Sequence, residues 1–154
     1  MKRYLIFATI MTSLFLPQLT FGSDLEELKT SVEKWYQAYN SMDADTIIEM
    51  THPGLVVCEA LAPFPFPKSS LEEDKDSLKS WFSSLDSLNF RVFNPQYKVV
   101  GDTGIMWCYL GRRTVRKGII SDLYVRQTMT FVKSDGKWRV LMYHFSKFPL
   151  EVMK

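Results

Sequence analysis

Few residues in this 154-residue chain can move a proton near neutral pH. Glu59 closes an apolar run that begins at Leu55, and His144 alternates with Ser146 at the end of a strand-like stretch. A carboxylate desolvated by an apolar pocket is pushed toward neutrality and can act as a general base, while imidazole already titrates in that range. Arg126 could equally hold Glu59 as an inert ion pair, and His144 could be a hydrogen-bonded staple between strands. Ser146 lies two residues from His144, about 7 Å along a strand, too far for a nucleophile and its base. A serine hydrolase is therefore not expected. The two histidines, His52 and His144, are far apart, no Cys or His spacing suggests a metal, and nothing points to a cofactor.

Positioning these groups falls to helices first and strands afterwards. From Asp24, the residues Leu25, Leu28, Val32, Trp35, Tyr36 and Tyr39 recur at three- and four-residue intervals, with Ser23 or Asp24 free to cap, which predicts a long amphipathic helix. Asp43-Ala44-Asp45 caps a short second helix carrying Ile47, Ile48 and Met50, which Pro53-Gly54 should end, and Leu55 to Glu59 reads as a buried strand. The prolines at 63, 65 and 67 remove ladder donors, so this stretch is a loop and a lid candidate. Ser69 or Ser70 caps a third helix, Leu71 to Leu85.

Strands follow over Asn89 to Val100, Ile105 to Val115, Leu123 to Val132 and Trp138 to Phe145, separated by Gly-containing turns. Segregated helices and strands predict one α+β domain. On the last strand Trp138, Val140, Met142 and His144 share one parity, and Arg139, Leu141, Tyr143 and Phe145 the other. On its neighbour Tyr124, Arg126, Thr128 and Thr130 oppose Leu123, Val125, Gln127, Met129 and Phe131. Two faces with apolar character need two covers, so a homodimer through one sheet face is expected; the alternative is a monomer covered by the third helix and the chain end.

Lys2 and Arg3, the apolar run from Tyr4 to Leu16 and the exit Thr20-Phe21-Gly22 read as an export signal over residues 1–22, with a domain over 23–154. The run is too short to anchor in a bilayer, so no membrane association is expected after cleavage, and the protein should be periplasmic or secreted. Cleavage would remove two of the 19 basic residues and none of the 17 acidic ones, leaving 17 against 17 and no electrostatic case for nucleic acid. The cluster Arg112, Arg113, Arg116 and Lys117 reads as a solvated hairpin end. Cys58 and Cys108 could form a disulfide outside the cell, or act as small hydrophobes within strands.

The stretch AYNSMDADTIIEM, with the closing DGKWRVLMYHFSKFP, resembles the nuclear transport factor two-like superfamily, particularly its SnoaL-like members and the calcium/calmodulin-dependent kinase association domain. The resemblance implies a curved antiparallel sheet wrapped as a cone around the long first helix, an apolar pocket open at one end, and a sheet face that often pairs with a second subunit. It also implies that Trp35, Tyr39, Trp107 and Tyr109 line the pocket, their alternative being plain core.

The superfamily includes ketosteroid isomerase, where a carboxylate base works beside a tyrosine and a protonated aspartic acid. Registering Asn40, Asp43 and Asp45 on that pattern places Glu59 at the base, Trp35 at the tyrosine and Thr128 at the second acid. With both donors altered, steroid-type isomerisation is not expected. The expected function is binding of a small apolar molecule through a polar end met by Arg126, Glu59 or His144. The alternatives are a cofactor-free isomerase, dehydratase or cyclase using Glu59 or His144, and a purely structural or interaction module.

Overall fold

A computed structural model of the protein describes residues 21–58 and 70–147, with side chains from 23 onward. Its elements run α1 (Phe21–Asn40), α2 (Ala44–Glu49), β1 (Thr51–Cys58), α3 (Leu71–Ser83), β2 (Ser87–Val100), β3 (Thr103–Arg116), β4 (Ile119–Ser134) and β5 (Lys137–Lys147). Residues 1–20 of the expected leader, Glu59 and the proline-rich loop lie outside the described residues. Phe21 and Gly22, the end of that leader, fall in the first turn of α1.

The five strands form one sheet in the order β1-β5-β4-β3-β2. Three of its pairings are antiparallel; β1 runs parallel to β5, a difference from the all-antiparallel sheet expected. The connection from β1 to β5 allows it, since it runs through α3 and the whole β2–β4 meander, far longer than a parallel crossover needs. Both turns with consecutive positive-φ residues, Lys117-Gly118 and Asp135-Gly136, join long strands as two-residue hairpins.

Register shifts interrupt three of the described pairings, one on β1 between Thr51 and Val56 and two more on β2 and β5. On edge strand β2, Phe93 pairs with Tyr109 and Gln96 with Trp107, so one extra residue is accommodated at Asn94-Pro95, where Asn94 takes a positive φ. On β5, Val140 pairs with Phe131 and Met142 with Thr130, leaving Leu141 as the extra residue. The concave face receives α1, whose Leu28, Val32, Trp35 and Tyr36 are buried against Met106, Met129, Phe131 and Val140. Trp138, at the start of β5, joins that core.

Local chemistry fixes the helices. Asp43 caps α2 by accepting from Thr46 N, and Ser70 and Glu73 form a reciprocal capping box on α3. The second helix ends at Glu49, earlier than Pro53-Gly54, because Thr51 to Gly54 already belong to β1. Its Thr51 hydroxyl donates back to Ile47 O at 2.7 Å. At the other end of the domain Lys133 bridges Asp24 and Glu27 of α1 at 2.7 and 2.6 Å.

Candidate functional site

Between α1 and the concave sheet face the core does not close, and a cavity of about 460 Å³ remains. Helical spacing puts Trp35, Tyr36 and Tyr39 of α1 on it, and α3 adds Leu78 and Trp81 from the same side. The sheet contributes Phe90, Leu110, Leu123, Val125, Tyr143 and Phe145. Aromatic edges interlock along the wall: Tyr39 meets Trp35, Phe82 and Phe90 edge-on at centroid distances of 5.4, 6.1 and 5.3 Å.

The inner end is polar but uncharged. Tyr36 Oη donates a short hydrogen bond to Gln127 Oε1 and lies 3.6 Å from Met129 Sδ. Burial, with Cys108 adding to it, holds the Tyr36 phenol well above its ordinary pKa, and burial raises Tyr39 likewise. Both therefore stay neutral donors. Beneath them the Cys108 thiol is pushed by burial up to about 11.

The open end follows from where α1 stops. Asn40, the last residue of α1, donates from Nδ2 to Phe90 O at 3.1 Å and accepts from Phe90 N at 2.6 Å. Phe90 pairs with Arg112 and Arg112 with Leu123, so this row of the sheet marks the rim, and Lys147 reaches the cavity from β5. Asp43 and Asp45, registered with Asn40 in the sequence, do structural work: Asp43 caps α2, and Asp45 accepts from Lys75 Nζ at 2.8 Å, which holds its carboxyl below the ordinary range.

Of the residues expected around the pocket, Trp35 and Tyr39 line the cavity. Trp107, Tyr109, Arg126, Thr128 and His144 do not; they lie on the convex face, where Trp107 pairs with Thr128, Thr128 with His144, and Tyr109 with Arg126. For β4 the reason is parity, since the set containing Val125, Met129 and Phe131 is the buried one. For His144 the reason is the bulge at Leu141, which keeps Trp138 and Val140 inward and then turns Tyr143 and Phe145 inward instead of Met142 and His144. Glu59, the partner expected of Arg126, lies outside the described residues.

The cysteines are free. Cys58 on β1 and Cys108 on β3 are separated by β5 and β4, roughly 14 Å of sheet, far beyond disulfide reach. Arg112 also departs from expectation: it lines the cavity instead of sitting at a solvated hairpin end. The residues overlooked are thus Tyr36, Gln127, Arg112, Tyr143 and Lys147. Gln127 was visible as the lone polar residue within an otherwise apolar parity, the usual signature of a buried side chain with a partner.

A family model described as a SnoaL-like domain matches residues 28–151. Comparison with curated proteins gives no match. Among solved structures, a dehydratase candidate of the NTF2-like family from Streptomyces avermitilis superposes with a TM-score of 0.71 at 16% identity, covering 83% of this chain and 98% of that one. An NTF2-like superfamily protein from Salmonella enterica gives 0.71 at 11% identity, over 83% and 93%. A candidate calcium/calmodulin-dependent kinase II association domain from Xanthomonas campestris gives 0.66 at 17%, over 80% and 87%. At these identities the likeness is one of fold.

Proposed function

This chain belongs to the SnoaL-like domain family, and from that premise we propose that it is exported, pairs with a second copy through its convex sheet face, and binds a small, largely apolar molecule with one polar end. The cavity carries this reading. Its volume of about 460 Å³ falls within the range of small-molecule sites, and its walls are mainly aromatic and aliphatic with a few polar groups. Apolar area that stays unfilled in the free protein would be buried by a ligand, at about 25 cal/mol per Å².

A second reading is a cofactor-free lyase or isomerase, favoured by solved relatives described as dehydratase candidates, from Streptomyces avermitilis and Novosphingobium aromaticivorans. It would depend on Glu59, because His144 is exposed on the convex face. The described cavity lining offers neutral phenols and cations, which suit binding and orientation better than proton abstraction.

Titration of the purified protein with a fluorescent naphthalene probe tests the binding reading. We expect saturation at one site per chain and a higher melting temperature. Val125→Phe, placed in the cavity wall, should abolish binding while cooperative unfolding is kept; Leu123→Trp serves if overpacking prevents folding. Absence of saturable binding, or full binding in a folded variant whose cavity is filled, would refute it.

A further inference from the structure

One buried polar side chain on the cavity wall has bonding capacity to spare. Among the described residues the buried polar side chains are Thr51 and Gln127, each 3% exposed. Thr51 spends its hydroxyl proton on Ile47 O. Gln127 lines the cavity and accepts from Tyr36 Oη, its one hydrogen bond among the described residues. A primary amide carries two N–H donors and two lone pairs on its oxygen, so two donors and one lone pair remain. Gln127 Nε2 is not among the polar atoms that surrounding protein seals off without a partner, so its donors open on the cavity. Buried polar groups are as a rule hydrogen-bonded, and this one is left for an occupant to satisfy.

We propose that Gln127 anchors a flat, neutral lactam, a ring whose adjacent C=O and N–H accept from Gln127 Nε2 and donate to Gln127 Oε1. This rests on the small-molecule reading and adds the chemical class of its ligand. Gln127 stands mid-sheet, paired with Cys108 of β3 and Phe145 of β5. It lies four residues along β4 from Leu123 in the rim row, about 13 Å of strand, which a ligand reaching the amide would span. Trp35 and Tyr39 on the helix side, with Phe90 and Phe145 on the sheet side, give a planar ring aromatic neighbours on both sides.

Neutrality follows from the inner end. Its described groups, Tyr36, Gln127, Met129 and Cys108, are uncharged, and a charge brought among them would be desolvated without compensation. A ketone would use the amide's donor and leave its acceptor idle. A lactam uses both, and two parallel bonds fix the ring's orientation. Glutamine reads the paired donor and acceptor of an adenine edge by the same bidentate geometry.

Two isosteric probes test this by titration calorimetry: quinolin-2-one and coumarin, which carry N–H and O respectively beside the same carbonyl. Quinolin-2-one should bind about tenfold tighter, the range of one net hydrogen bond in a water-poor site. In Gln127→Met that ratio should fall to about one. Should the stranded Tyr36 hydroxyl prevent folding, Tyr36→Phe with Gln127→Met removes both partners together and should show the same loss. A merely structural role for Gln127 would weaken both probes alike and leave the ratio unmoved. Equal affinities in the native protein, a preference that persists in a folded variant, or no binding of either probe while the naphthalene probe saturates overturns the lactam proposal and leaves the pocket reading standing. If the naphthalene probe does not bind either, the pocket reading fails and the proposal with it.

Discussion

Tyr36, Tyr39 and Cys108 keep their protons because burial penalises their charged forms, and this links the cavity's inner wall to pH. In the unfolded chain the thiol titrates near 9.0 and the phenols near 10.0; in the folded protein all three titrate higher. The unfolded state therefore loses protons first, and the contribution is fully present below pH 9.0 and lost as pH rises toward the folded values, about 11 for Cys108. Lys133, raised by Asp24 and Glu27, acts in the same direction. Urea midpoints should hold steady up to about pH 9 and fall progressively above it, and Cys108→Ala should remove the earliest part of the fall. A flat profile through pH 11 would show that these groups are not desolvated.

At the scale of elements, the seat of α1 on the sheet depends on a missing side chain. A Cβ built on Gly104 of β3 would lie 2.8 Å from both Cδ atoms of Leu28, which is fully buried. Gly104→Ala should cost about 1–3 kcal/mol through overpacking, read as a lower urea midpoint with an unchanged slope. No loss of stability would mean that α1 rides higher than this contact implies. The helices were legible in the sequence because their signals are local: three- and four-residue spacing, the Asp43 cap and the Ser70–Glu73 box. The strands were legible too, through alternation and turn glycines, although they run longer than the turns suggested. The lining residues of β4 and β5 were not. Alternation gives two parities but not which one faces the helix, and the extra residue at Leu141 reverses the parity midway along β5 with no sequence mark of its own.

For the whole molecule the open question is the convex face. Phe93, Trp107, Tyr109 and Tyr124 stand 44%, 45%, 45% and 55% exposed there, drawn from three adjacent strands. Gly111 adds to the patch by leaving space that Tyr124 and Phe93 close over, 3.0 and 3.2 Å from where a Cβ would sit. The third helix, the cover considered from sequence, lies on the opposite side, since Leu78 and Trp81 line the concave cavity. Aromatic side chains grouped on one sheet face, with charged residues such as Arg113 and Asp122 beside them, have the composition of an interface core and its rim. Because a two-fold pairing brings the same patch from each chain, one substitution strikes the interface twice. Light scattering should therefore give the mass of a dimer at micromolar concentrations, and Trp107→Glu with Tyr109→Glu should give a monomer. Those residues point away from the cavity, so the monomer should still saturate with the naphthalene probe; a native protein that scatters as a monomer at every concentration would refute the pairing.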